Sequence, residues 1–238
     1  MRLNTLDSSL ETDAPQRWVG SSPEGLASAM VLAAGRGERM RPLTDTAPKP
    51  MLEVHGKPLM QWHMEALAKA GHPDQLINTA WLGPQIEAHF GLNPDLPNGG
   101  RVRLRYSHEG KEFGYALETA GGIVRALPFL APVFWVVAGD IYAPQFDFAP
   151  AIAKEFVRSD KLAHIWLVPN PAHNPKGDFG LSSEGLALNL PKTATLFTFS
   201  TLALYKKEFF AAALTGVPEG NPQGKAAPLA PLLRAAMD

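Results

Sequence analysis

Hydrophobic positions along this chain alternate between short unbroken apolar runs and stretches whose apolar residues fall three or four apart. That is the rhythm of a β-α-β fold. Segments 29–32 and 133–138 are apolar throughout, as strands buried on both faces of a sheet must be; 74–80 and 162–169 also read as strands, and 102–106 alternates as a strand with one wet face does. Between them, residues 58–70 place Leu59, Trp62, His63, Leu67 and Ala70 at helical spacing, with Gly71 positioned to end the helix. A short helix is expected over 84–90, a helix opened by glycines over 119–127, and a last one over 229–237, whereas 93–100 reads as a loop. Phe197, Thr198 and Phe199 alternate as a core strand. Short connections in this order predict an α/β domain, a mostly parallel sheet with helices on both faces.

Residues 1–28 break the rhythm. They are polar, carry Pro15, Ser21, Ser22 and Pro23, and offer Trp18 and Val19 as one apolar pair, so they read as an N-terminal extension or short packing arm before a single domain over 29–238. A chain of 238 residues suffices for one α/β core, and no internal repeat is present. The formal charge of −1 gives no electrostatic footprint for nucleic acid or an anionic membrane. With no cysteine, disulfides, thiolate metal sites and thiol nucleophiles are excluded. No apolar run has the length of a membrane span, and Asp7, Glu11 and Asp13 stand where a signal peptide would be basic and then apolar, so a cytoplasmic protein is expected.

The chemistry begins where the first strand ends. Ala33, Ala34, Gly35 and Gly37 let the backbone come close to a ligand, and N–H groups exposed in such a turn hold phosphate oxygens. Arg36, Arg39 and Arg41 add guanidinium forks suited to phosphate, and Lys49, held between Pro48 and Pro50, adds a compact point charge. Neither G-x-x-x-x-G-K-[ST] nor G-x-G-x-x-G fits, because Arg39 follows Gly35-x-Gly37. The glycines alone would suit an ordinary strand-to-helix turn; Arg39 and the Pro-Lys-Pro lysine shift the reading to a nucleoside triphosphate. A second focus is Asp140, which follows the apolar strand at 133–138 and so emerges where open α/β sheets collect ligands, suitably placed for a hard cation.

Residues 32–44, L-A-A-G-R-G-E-R-M-R-P-L-T, and 48–51, P-K-P-M, resemble without a gap the signature of the sugar-1-phosphate nucleotidyltransferases. Leu117-Glu118-Thr119-Ala120-Gly121-Gly122, Val137-Ala138-Gly139-Asp140, Gly177-Asp178-Phe179 and Phe197-Thr198-Phe199-Ser200 follow in that family's order, so the resemblance covers roughly residues 29 to 205. The E-T-x-G-G, G-D-F and F-T-F-S wording, with Asn170, Pro171 and His173, is most similar to the bacterial N-acetylmuramate-1-phosphate uridylyltransferases of cell-wall recycling. The resemblance implies a single Rossmann-like three-layer domain of the nucleotide-diphospho-sugar transferase type, with a mostly parallel mixed sheet. It implies that an NTP, UTP in the first instance, and a sugar-1-phosphate, N-acetylmuramate-1-phosphate in the first instance, form an NDP-sugar and pyrophosphate by direct in-line attack. Mg²⁺ is the implied cofactor. In that scheme Arg39 holds the departing pyrophosphate, Lys49 bridges the attacking phosphate and the α-phosphate, and Asp140 fixes Mg²⁺. Ala33, Ala34, Gly35, Gly37, Glu118 and Thr119 hold the nucleotide, with Glu109 a candidate base contact, while Asn170, Gly177 and Asp178 line the sugar pocket.

The chain departs from the family in two places. A second metal aspartate, in a W-x-D-[IV]-G-T-like segment near the C-terminus, has no counterpart among Trp18, Trp62, Trp81, Trp135 and Trp166. Either the chain lacks its C-terminal end, or Asp140, phosphates and water hold the cation. The segment 109–117 is also longer than in close relatives. Lys192 reads as a solvated loop lysine, and His63, His72, His89, His108, His164 and His173 show no zinc-binding spacing. Two other readings stay open: a different nucleotide and sugar pair on the same scaffold, such as dTTP with glucose-1-phosphate or GTP with mannose-1-phosphate, and a catalytically weak nucleotide-binding regulatory module.

Overall fold

The computed structural model describes residues 26–189 and 195–238; the N-terminal extension up to residue 25 and Lys192 lie outside the described residues. One eight-stranded mixed sheet organises the molecule. Its strands are β1 (Ala27–Ala33), β2 (Asp74–Thr79), β3 (Arg103–His108), β4 (Leu130–Ala138), β5 (Ala163–Val168), β6 (Phe179–Leu181), β7 (Ala187–Leu188) and β8 (Leu196–Lys206). Their order across the sheet is β7-β6-β8-β4-β1-β2-β3, with β5 also paired to β8. β1 runs parallel to β2 and β4, and β2 parallel to β3, whereas β8 is antiparallel to β4, β5 and β6. In the registers, Val31 stands opposite Ile77 on one side and Val137 on the other.

Strand period sorts the core into two layers. Met30, Leu76, Phe134, Val136, Ala203 and Tyr205 face one way, against Ile123 and Val124 of α3 (Glu118–Ala126) and Leu229, Leu232 and Leu233 of α5 (Leu229–Met237). Their strand neighbours Val31, Ile77, Trp135, Val137 and Leu204 face the other way, where Met60, Met64 and Leu67 of α1 (Leu59–Lys69), Ile86 and Phe90 of α2 (Gly83–Phe90) and Phe156 of α4 (Pro150–Arg158) cover them. The result is the helix-sheet-helix arrangement expected from the pattern.

The main differences from the sequence expectation are local. Residues 93–100, expected as a loop, contribute two-residue strands at Asp95–Leu96 and Gly100–Arg101, because buried Leu96 and Val102 pin both ends of the excursion into the core. The segment 109–117 begins with a short helix, Glu109–Phe113. Helix α4, not expected from the sequence, is amphipathic and buries Phe156, and strands β6 and β7, three and two residues long, are too short to show a period. β8 extends well beyond 197–199 and is broken by an irregularity between Phe199 and Ala203, where Thr201 adopts φ 64°. Among the described residues no helix is long and apolar enough to cross a membrane.

Candidate active site

A cavity of about 520 Å³ opens beyond the carboxyl ends of β1, β2 and β4, where Ala33 and Ala34, Asn78, and Ala138 and Asp140 meet. This is the position at which an open α/β sheet changes the direction of its strand order, with β2 on one side of β1 and β4 on the other. Gly35, Gly37, Lys49, Glu118, Thr119 and Asp178 complete the predicted residues on its wall.

The turn after β1 is held by its own side chains. Gly37 lies at φ 67°, and a Cβ there would meet Thr44 Cγ2 at 3.0 Å and Lys49 Cβ at 3.1 Å. A side chain at Gly35 would meet nothing within 4 Å and would stand in the cavity, so this glycine leaves open space beside the backbone. Thr44 Oγ1 donates to the Gly37 carbonyl at 2.8 Å, and the Thr44 carbonyl accepts from both Arg36 Nη1 at 2.8 Å and Trp81 Nε1 at 2.9 Å. The Arg36 guanidinium stacks 3.6 Å above the Trp81 ring and pairs with Asp45, which also pairs with Arg41. Two of the three arginines therefore brace the loop. Arg39, on the exposed turn Glu38–Met40, bonds to no other described residue; it stands outside the cavity wall with its charge uncommitted.

Lys49 and Asp140 meet on the wall, Nζ donating to Oδ2 at 2.7 Å, from segments far apart in sequence. The lysine is fixed by the turn Lys49–Met51, and Asp140 by β4, whose following Gly139 packs so closely that a Cβ would lie 3.0 Å from the Leu32 carbonyl oxygen. Beneath the aspartate, His63 on α1 is almost fully buried and its Nε2–H donates to the Ile141 carbonyl at 2.9 Å. Burial lowers the His63 pKa, against the opposing effects of the Ile141 bond and the Asp140 charge, so the ring stays neutral.

Three further predicted residues are not on the wall. Glu109, expected near the base, is completely buried: Oε1 accepts from Asn78 Nδ2 at 2.7 Å and Oε2 from the Leu117 N–H at 2.7 Å, leaving the carboxylate turned inward. Asn170 is spent on the chain around it, its Oδ1 accepting from Thr198 Oγ1 at 2.9 Å and its Nδ2 donating to the Leu196 carbonyl at 3.0 Å. Gly177 lies at φ 69°, where a Cβ would come within 2.8 Å of Asn170 Oδ1. These two shape the loop that presents Asp178, whose own oxygens accept from Asn174 Nδ2 at 3.1 Å and the Phe199 N–H at 2.8 Å.

Sequence reasoning assigned no site role to Asn78, Thr201 or Arg234, all on the wall. Asn78 had a legible signal, a polar residue near the end of an apolar strand at the sheet's switch point. The other two depend on long-range packing: Arg234 donates to Asn189 Oδ1 at 2.9 Å and to the Asp178 carbonyl at 3.2 Å, and lies over the Phe179 ring. Asp238 accepts from Asn189 Nδ2 at 2.9 and 3.0 Å and stays off the wall.

A phosphate-type turn, an ion pair of lysine and aspartate, and a cleft at the switch point of a mixed sheet define a nucleotide-handling α/β protein. The chain belongs to the nucleotidyl transferase family, which it matches over residues 28–186, and within it to the sugar-1-phosphate nucleotidyltransferases. It is 43% identical over 211 residues to the N-acetylmuramate alpha-1-phosphate uridylyltransferase of Neisseria meningitidis, a match spanning 88% of this chain and 84% of that protein. It is 42% identical over 108 residues to the protein of the same description from Caulobacter vibrioides, over 44% of this chain and 43% of that one. In fold it is similar to a UDP-glucose pyrophosphorylase solved with UDP-glucose, with TM-score 0.63 and 16% identity over 88% of this chain and 86% of that chain.

Proposed function

We propose that this protein transfers the uridylyl group of UTP to N-acetylmuramate-1-phosphate, with Mg²⁺ as cofactor. The Lys49–Asp140 pair on the wall of a cleft floored by the open backbone at Gly35 carries the reading. A phosphate oxygen of the sugar-1-phosphate attacks the α-phosphorus; the bond from that phosphorus to the bridging oxygen breaks in line, and pyrophosphate leaves with its electron pair. No protein nucleophile is required, so positioning and electrostatic stabilisation carry the catalysis. Lys49, released from Asp140 when phosphate arrives, sits between the two reacting phosphates. Arg39, uncommitted among the described residues, closes on the leaving pyrophosphate. The backbone at Ala33, Ala34 and Gly35, with Glu118 and Thr119, holds the nucleotide, and Asp178 faces the sugar.

Asp140 suits Mg²⁺, because that ion binds through one or two carboxylates and completes its shell with phosphate and water. No group of three or more metal-ligating side chains exists among the described residues, which favours such a substrate-completed shell over an all-protein cage. When bound, the ion would offset phosphate charge. Asp140 is held for that task by β4 and by His63 behind Ile141.

The test is pyrophosphate release with UTP, N-acetylmuramate-1-phosphate and Mg²⁺, beside a panel of other triphosphates and sugar-1-phosphates and a chelator control. Turnover that prefers this pair and stops with EDTA supports the reading. Preference for dTTP with glucose-1-phosphate, or GTP with mannose-1-phosphate, replaces the substrates. UTP binding without turnover across the panel leaves a nucleotide-binding module.

A further inference from the structure

We infer that Asn78 and Glu109 form a buried pin that sets the width of the nucleotide cleft by tying the end of β1 to the start of α3. The inference rests on the nucleotide-binding reading of the cleft given above. The chain of bonds is continuous: the Ala33 N–H donates to Asn78 Oδ1 at 2.9 Å, Asn78 Nδ2 donates to Glu109 Oε1 at 2.7 Å, and the Leu117 N–H donates to Glu109 Oε2 at 2.7 Å. Ala33 and Asn78 line one part of the cavity, and Ala116, Glu118 and Thr119, on either side of Leu117, line another. Glu109 itself reaches neither solvent nor the cavity, so it acts on a ligand only through the pin.

The surroundings are shaped around this carboxylate. A Cβ on Gly122 would fall 2.5 Å from Glu109 Oε1 and 3.1 Å from Asn78 Nδ2, and one on Gly110 would fall 2.7 Å from the Ala80 Cα. Helix α3 and the end of β2 are thus drawn against Glu109 at positions where only glycine fits. Burial raises the pKa of Glu109, while the bonds from Leu117 and Asn78 favour its ionised form. A neutral residue would fill the space without that desolvation. Only a group with two acceptor oxygens satisfies both donors at once.

This polarity supplies the test. Glu109→Gln places an amide N–H₂ against a donor whichever way it is turned, and Asn78→Asp places two carboxylates face to face. The double variant reverses the middle bond. Its introduced carboxylate would accept from the Ala33 N–H and from the introduced amide N–H₂, while the oxygen of that amide would accept from the Leu117 N–H, so all three links return. KM for UTP (or for whichever triphosphate the wild-type chain turns over) and for the sugar-1-phosphate are measured separately, with thermal unfolding on each variant. Each single variant is expected to raise the nucleotide KM about tenfold or more, with the sugar-1-phosphate KM within about twofold. The double variant is expected to recover most of that loss. Lowered thermal stability with both KM values unchanged, or a folded double variant no better than either single, overturns the pin. Hydrogen exchange on the wild-type chain gives a second readout should a single variant not fold: nucleotide slows the Ala33 and Leu117 amides together, and protection of one without the other overturns it. Wild-type inactivity towards the proposed pair would instead be a failure of the substrate assignment.

Discussion

Arg36, Arg39 and Arg41 share a charge and a short stretch of chain, yet the structure gives them different work. Arg36 and Arg41 are committed to Asp45, and Arg36 also to Thr44 and Trp81, whereas Arg39 is uncommitted among the described residues. Arg39→Ala and Lys49→Ala are each expected to raise the barrier read from kcat/KM by on the order of 3 kcal/mol, the scale of losing one donor to developing charge. Arg36→Ala is expected to cost about 1 kcal/mol through a looser turn, the scale of one net hydrogen bond. Pyrophosphate-release kinetics on the three variants checks the ranking, and equal losses at Arg36 and Arg39 would contradict it. The sequence made the arginine cluster and Lys49 legible, because glycine, arginine and Pro-Lys-Pro sit within one local stretch. It hid the division of labour, which depends on Trp81 arriving from the end of another strand. The Glu109 expectation went astray for a related reason: local wording does not reveal whether a carboxylate points into a cleft or behind its wall.

At the scale of elements, the periodic segments were the legible ones. The strands at 29–32, 74–80 and 133–138 and the helices at 58–70 and 229–237 are present with modest shifts of boundary, because each buries a regular apolar face. The short strands β6 and β7 offer too few residues for a pattern, whereas α4, absent from the sequence expectation, had a legible signal, Ile152 and Phe156 four apart on one face. In the sequence the glycine pair of α3 reads as an opening for the helix, but in the structure each glycine answers to a particular neighbour. A Cβ on Gly121 would lie 2.7 Å from the Lys225 carbonyl oxygen, and one on Gly122 would strike the Glu109 carboxylate. Gly122→Ala is therefore expected to destabilise the protein by about 1–3 kcal/mol, the usual cost of overpacking, seen as a lower denaturant midpoint at unchanged slope. Thr201 offers the opposite case. A β-branched residue at φ 64° is strained. Thr201→Gly should raise the unfolding free energy by up to about 1 kcal/mol once glycine's own entropic cost is deducted. Since Thr201 faces the cavity, its sugar-1-phosphate KM should be followed alongside the denaturant midpoint.

At the scale of the whole molecule, two histidines link the interior to pH. His63 donates to the Ile141 carbonyl, and His72 Nε2 accepts from Trp135 Nε1–H at 3.1 Å while Nδ1 meets Ser28 Oγ at 3.0 Å. The Trp135 bond assigns the His72 proton to Nδ1, so a second proton on Nε2 would oppose the indole donor. Burial holds both rings below the ordinary imidazole range. As pH falls through about 6.5, the unfolded chain takes up protons that the folded chain refuses. Stability is therefore complete above that pH and declines below it, until the lowered folded pKa values are passed. Denaturant midpoints taken from about pH 8 to 5 should fall on the acid side, and His72→Gln should flatten part of the slope.

The sheet's change of direction between β4 and β8 also carries a genetic consequence. Among the described residues, everything that braces the turn after β1, together with Lys49, Asp140 and the Asn78–Glu109 link, is encoded before residue 141, whereas Asp178, Phe179, Phe199, Thr201 and Arg234 of the cavity lining are encoded after it. A single recombination event at that point would replace the second group of lining residues and leave the first intact. Among the junctions it would have to preserve are the β4–β8 ladder from Val133 to Val137, the bond from His63 to the Ile141 carbonyl, and the clasp in which the Gly121 N–H donates to the Ala227 carbonyl and the Ala227 N–H to the Leu117 carbonyl, both at 3.0 Å.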